Sequence, residues 1–272
     1  MRFKVDHDYH IHSFLSECSS DPEQNKERIL ACAKEKGYSS ICITDHYWDS
    51  EVKGVIDFEW YRGADFEHIS KIKPLPKADG IEFLFGCEAD MDREMTLGLP
   101  AYRFDEFDFI VVSTTHMHMP DFTIRIEDMG KSDIAARLWA ERFEALLSKP
   151  LPFKKMGIAH LAVGLINNRS RAAFLETLSL IPEEKMGYLF EKAARVGLGI
   201  ELNQSDMDFT EEEKDTILRP FRIAKACGCK FYLGSDAHHP DKFKYSKDIF
   251  ERAVTLLDLT ENDKFHIEKT TR

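Results

Sequence analysis

Histidines and carboxylates fall in this sequence at spacings that could hold divalent metal ions. Asp8-Tyr9-His10-Ile11-His12 follows a short β-prone run, Phe3-Lys4-Val5, and sets two imidazoles at i and i+2. On a strand that spacing puts both rings on one face. Two neutral imidazoles, joined by carboxylates from elsewhere, suit Zn, Mn or Fe. A lone His-x-His is weak evidence, because short motifs recur by chance. Here the theme returns six more times: Asp45-His46, Glu88, His116, His160, Glu201 and Asp236-Ala237-His238 each close a short apolar run. Such a set exceeds the ligand needs of one tetrahedral ion and implies two or three cations. Glu88, with histidine-bearing runs on either side in sequence, is the candidate bridging ligand. Two cations about 3.5–4 Å apart would share a water, lower its pKa and aim a hydroxide at an electrophile. For His118, His239 and Asp45 the choice between ligand and supporting or loop group stays open, and His7, His68 and His266 are expected to be surface or satisfied core histidines.

The elements that must position these side chains follow from apolar periodicity. After Phe3-Lys4-Val5, the strand candidates are Ser40–Thr44, Ile81–Phe85, Phe109–Ser113, Lys155–Ala159, Leu198–Ile200 and Lys230–Gly234. Asp21-Pro22-Glu23-Gln24 has the form of a capped helix start, and Gly37 is its natural stop. Residues 47–60 are expected to be a loop carrying Trp48 and Trp60, and 61–73 a helix. Further helices begin near Ser132, after Pro182 and behind the capping box Thr210–Glu213, and a last one carries Ile249, Ala253 and Leu256. Strand and helix alternate throughout, which predicts parallel strands with right-handed crossovers. Seven such strands predict a closed or nearly closed barrel. An open doubly wound sheet is the alternative, but no glycine-rich phosphate loop follows the first strand. In a barrel the carboxyl ends of all strands share one face, so the polar residues converge there.

Composition sets the outer bounds. With 272 residues and 43% hydrophobic content the chain can bury a large core, and no stretch is a membrane-span candidate. Met1-Arg2-Phe3-Lys4 lacks an apolar signal core, and the six cysteines show no disulfide framework, so a cytoplasmic location is expected. Cys227-Gly228-Cys229 reads as two thiols flanking a helix-ending glycine. A net charge of −11 argues against a broad track for a nucleic-acid backbone, yet leaves room for a small anionic substrate held by metals.

His10-x-His12, Thr44-Asp45-His46, Gly86-Cys87-Glu88, Ser113-Thr114-Thr115-His116, Ile158-Ala159-His160 and Gly234-Ser235-Asp236-Ala237-His238 together resemble the PHP (polymerase and histidinol phosphatase) superfamily. The motifs occur in family order across nearly the whole chain, and the length and Ser-Asp-Ala-His-His-Pro run look most like the stand-alone histidinol-phosphatase group. The resemblance implies one domain over 1–272, a distorted (β/α)₇ barrel of TIM-barrel type with a trinuclear metal site. It implies a first metal on His10, His12, Glu88 and Asp236, a second on Glu88, His116 and His160, and a third on His46 and His238. The third needs one more ligand from the loop after His12. There the chain departs from family pattern, offering Glu17 or Cys18, and Glu17 is preferred because it keeps the chemistry of an aspartate.

Arg169 and Arg171 are candidates to grip substrate phosphate, and Asn203 to touch substrate or orient Glu201. Glu88, Asp236 and His238 are the candidate catalytic groups, with Asp236 or a metal-bound water moving the proton. The leading expectation is a phosphomonoester hydrolase using two to three divalent ions (Zn, Mn or Fe), acting on L-histidinol phosphate or a similar small phosphorylated substrate. A nuclease or nucleotide phosphatase of the same chemistry is the second reading, and a non-catalytic metal-binding regulatory barrel the third. The sequence leaves the oligomeric state open.

Overall fold

The apolar runs become strands that all point one way. In the computed structural model, which describes residues 1–19 and 21–268, β1 (His7–Ile11) pairs with β2 (Ser40–Ile43), and β2 with the first half of β4 (Glu82–Asp90). A two-residue strand, β3 (His46–Tyr47), pairs with the second half of β4. Ile43 faces Phe85 and His46 faces Glu88 in one unbroken register, so β2 and β3 form a single path interrupted at Thr44-Asp45. β5 (Phe109–Ser113), β6 (Met156–Ile158), β7 (Gly199–Asn203) and β8 (Lys230–Gly234) follow in order, every pairing parallel. The result is the expected distorted (β/α)₇ barrel.

It closes across a seam between β8 and β1. Asp236 N–H donates to the His10 carbonyl at 2.7 Å and His12 N–H to the Ala237 carbonyl at 3.1 Å. Lower down, side chains substitute for a ladder: Leu233 N–H donates to His7 Nε2 at 3.1 Å and Ser235 N–H to Asp8 Oδ1 at 2.9 Å. His7 is therefore a satisfied core histidine.

Alternate residues serve two cores, as strands buried on both faces require. Ile41, Ile43, Val112, Ile158, Leu202 and Leu233 pack with the helices outside the barrel. Cys42, Phe109, Val111 and Tyr232 fill the barrel itself. Around it lie α1 (Lys26–Lys36), a short α2 (Phe66–Ile69), α3 (Ser132–Leu147), α4 (Arg171–Leu180), α5 (Glu183–Val196), α6 (Lys214–Ala226) and α7 (Ser246–Leu256). Trp139 and Phe143 of α3 meet Phe190 of α5 edge to face, with ring centroids 5.6–6.3 Å apart. Each such buried ring contributes roughly 1.5–3 kcal/mol. Among the described residues no helix is long and apolar enough to cross a membrane.

Three local expectations are corrected. The first helix is capped by Asn25, whose side chain accepts from Arg28 N–H, and not by Asp21. Gln24 is withdrawn from capping because its buried amide donates to the carbonyls of His12 (2.8 Å) and Ala237 (2.9 Å), pinning the seam. The helix expected over 61–73 shrinks to α2 and a following 3₁₀ turn. α4, capped by Ser170, stands where no helix was expected.

Candidate metal centre

Local backbone choices bring the polar residues to the barrel mouth. On β4 the inward face runs Leu84, Gly86, Glu88, Asp90, so one strand supplies a floor residue and then two carboxylates. On β1 an extra residue between Asp8 and Ile11 breaks the alternation. This bulge turns His10 inward after inward Tyr9, the re-aiming such irregularities serve beside active sites. After β6, Gly157 and Ala159 face the barrel interior, so simple alternation would send His160 out toward the helices. A left-handed backbone at His160 (φ 29°) returns its ring to the mouth. Asp236 is also left-handed (φ 53°), and non-glycine residues held there are strained.

Glu88 is the hub. Its Oε2 lies 3.0 Å from His46 Nδ1 and 3.4 Å from both His10 Nε2 and His12 Nε2. Its Oε1 lies 3.1 Å from His160 Nε2 and 3.9 Å from His116 Nε2. Asp236 Oδ1 sits 3.1 Å from His12 Nε2 and 3.5 Å from His10 Nε2. Three groups place their ligand atoms within 4.8 Å of one another: His10, His12 and Glu88; Glu88, His116 and His160; and His12, Cys18, His46 and His238.

The outer nitrogens explain why the inner ones converge. His10 Nδ1 donates to Glu201 (2.7 Å), His12 Nδ1 to Ser16 (3.0 Å), His116 Nδ1 to Asp90 (2.9 Å), His160 Nδ1 to Thr115 (2.7 Å) and His238 Nδ1 to the Asp236 carbonyl (2.7 Å). Each bond spends the ring proton outward and leaves an Nε2 lone pair aimed inward, the arrangement of metal-ligating histidines. His10 Nε2 and His12 Nε2 stand 3.1 Å apart, near the roughly 3.3 Å expected when two imidazoles share one tetrahedral zinc. His46 Nδ1 and Glu88 Oε2, 3.0 Å apart, are both buried and neither makes a well-directed hydrogen bond. The donor set therefore fits divalent cations.

Charge tells the same story. Burial would push the Glu88 carboxyl up, yet His46, His10 and His12 hold it well below the carboxylate range. Asp236 is held low against burial by His10 and His12. Conversely, burial would lower His160, but Glu88 pushes it up to about 9. Protons on imidazoles here answer the same buried negative charge that cations would answer.

Above this floor opens a cavity of about 390 Å³, walled by Phe58, Trp60, Met119, Pro120 and Leu165, with His118 on one side. His46, His116, Asp236 and His238 form its base, and Cys18 its edge.

The structure does not bring every expected residue here. Glu17 is exposed and belongs to none of the three ligand groups, whereas its neighbour Cys18 does. Arg171 is tied to Glu213 by two bonds, 2.8 and 2.7 Å, and to the Asp208 carbonyl at 2.8 Å. Arg169 is exposed and lies over Gly130. Neither lines the cavity, because α4 carries Arg171 outward. Asn203 is fully buried, its Oδ1 accepting from Ser205 N–H, and it too is off the cavity wall. Arg171→Ala should thus leave kcat/KM for any phosphate ester unchanged, which steady-state kinetics would check.

Other residues emerge as supports. Asp45 accepts from Ser13 N–H, Ser13 Oγ and Ser16 Oγ at 2.6–2.7 Å, fixing the loop that turns His12. Asp90 and Thr115 were not expected. Asp90 could have been found, since it stands at i+2 from Glu88 and shares its strand face. His239 pairs with Asp21 at 2.8 Å and is a loop residue.

Comparison with known proteins agrees with this geometry. The chain is 26% identical over 214 residues to a probable phosphatase of Caldicellulosiruptor saccharolyticus, covering 78% of this chain and 72% of that one. A probable phosphatase of Caldicellulosiruptor bescii is 25% identical over 231 residues, 85% of this chain and 78% of its own. Among solved structures, histidinol phosphate phosphatase from Lactococcus lactis, complexed with zinc, L-histidinol and phosphate, superposes with a TM-score of 0.62 at 16% identity. The match covers 96% of this chain and 98% of that one, a likeness of fold. The family model of the PHP domain matches residues 8–205, and with it the chain belongs to the PHP domain family.

Proposed function

We propose that the protein is a metal-dependent phosphomonoester hydrolase, with histidinol phosphate the first substrate to test. The observation that carries this reading is the inward convergence of imidazole lone pairs on Glu88 beneath an open cavity. His10, His12, Glu88 and Asp236 would hold one cation, Glu88, His116 and His160 a second, and His46, His238 and Cys18 a third. Cations bound here supply charge neutralisation at the phosphoryl oxygens and a nucleophile from water at neutral pH. The chain's own work is orientation. Glu201 and Asp90 fix the rings of His10 and His116 and make them better donors, while Phe58 and Trp60 wall the cavity above them. Among the described residues the cavity lining holds no Lys or Arg, so binding of phosphate falls to the metal centre, and a polynucleotide track has no support there. The Lactococcus protein's bound L-histidinol and phosphate, and walls suited to an imidazole, support the choice of substrate.

Metal-free protein given Zn or Mn should release phosphate from a panel of phosphomonoesters that includes histidinol phosphate. No release from any of them would overturn the reading. For the third ion, Cys18→Ser should lose about one equivalent of metal by elemental analysis, because a thiolate is a strong zinc ligand and a serine hydroxyl a poor one. Glu17→Gln should keep the wild-type content. The reverse pattern would restore Glu17 as the ligand.

A further inference from the structure

The segment between β3 and α2 carries apolar side chains that serve neither barrel core. Trp48, Tyr61, Met119 and Phe122 form a separate cluster, with Phe58 and Trp60 packed on it. Phe58 stacks on Phe122 at 4.8 Å and 5° between planes. Trp60 sets its ring against His46 at 4.5 Å and against Tyr61 at 4.7 Å, both edge to face. The cluster thus braces two aromatic rings that remain half-buried, each with a face on the cavity above the metal centre. Apolar area left open and rigidly held is area available to a ligand. Met119 adds a polarizable thioether, which favours contact with a ring.

The lining also excludes. Among the described residues it has no Lys or Arg to meet a second phosphate, and its one carboxylate, Asp236, belongs to the metal floor. A volume of about 390 Å³ suits a small molecule. Resting on the phosphatase reading, we propose that the site selects phosphomonoesters whose alcohol carries a flat ring and no second phosphate, with phosphate on the metals and the ring between Phe58, Trp60 and Met119. Phe58 and Trp60 are then specificity-determining residues.

The test uses the full chain loaded with zinc. Benzyl phosphate should exceed glycerol 1-phosphate in kcat/KM by about tenfold or more, the difference lying in KM. Trp60→Ala should cut that ratio about tenfold, Phe58→Ala should cut it likewise, and Trp60→Phe should retain it. Binding of two inert analogues, benzylphosphonate and methylphosphonate, gives a readout independent of turnover, and the first should bind more tightly. Hydrolysis of both esters with equal efficiency, equal binding of both phosphonates, or equal losses on both esters in Trp60→Ala would overturn the ring site while leaving the phosphatase reading intact. Preferential binding of benzylphosphonate without release of phosphate from any ester would uphold the ring site and remove the phosphatase reading.

Discussion

Glu88→Ala should strip the protein of most of its metal and lower phosphatase activity by three decades or more. The carboxylate faces His46, His10 and His12 with one oxygen and His160 and His116 with the other. A group so placed would serve two cations at once, and its loss would also leave them repelling across a gap with no intervening negative charge. Bound cations are worth several kcal/mol of transition-state stabilisation, and each 1.36 kcal/mol is a factor of ten. Elemental analysis of the purified variant decides the point. Wild-type metal content would show that Glu88 does not bridge. Glu88→Gln separates charge from shape: if charge is what matters, it should behave nearly as badly as the alanine.

Much of this centre is legible in the sequence because strand geometry is simple. His10 and His12 at i and i+2, and a polar residue at the end of every apolar run, suffice to predict a convergent site once parallel strands are inferred. What escapes is whatever depends on a departure from that geometry. The bulge in β1 and the left-handed backbone at His160 leave no compositional mark. The choice between Glu17 and Cys18 turns on how the loop after His12 folds under Asp45, Ser13 and Ser16, which residue chemistry alone does not fix. Arg169 and Arg171 were misplaced because α4 was not foreseen, although Ser170 followed by Phe174 and Leu178 is a cap ahead of a helical stripe. The Phe58 and Trp60 walls lie in an aperiodic loop, where no pattern marks them.

Gly234→Ala should disable the first metal position from a distance. Gly234 ends β8 with no space beyond its Cα: a methyl there would overlap Glu201 Oε1 and press within 2.7 Å of His10 Cβ. Glu201 holds two things in place, His10 Nδ1–H at 2.7 Å and the His160 N–H at 2.6 Å. Moving it frees the His10 ring to turn and leaves the buried N–H of His160, itself in a strained backbone conformation, unpaired. The loss of such a supporting carboxylate costs about 10–100-fold in metal affinity. The overlap itself should lower the stability of the metal-free protein by about 1–3 kcal/mol. Zinc competition against a chromophoric chelator reads the first effect and thermal unfolding of metal-free protein the second. Glu201→Gln calibrates them: its amide meets His10 or His160 with a donor where an acceptor is needed, so affinity should fall without the steric penalty. A Gly234→Ala protein that unfolds earlier yet binds zinc as tightly as wild type would mean that β8 shifts as a unit and carries Glu201 along with it. The tie between Glu201 and His10 would then not control metal affinity.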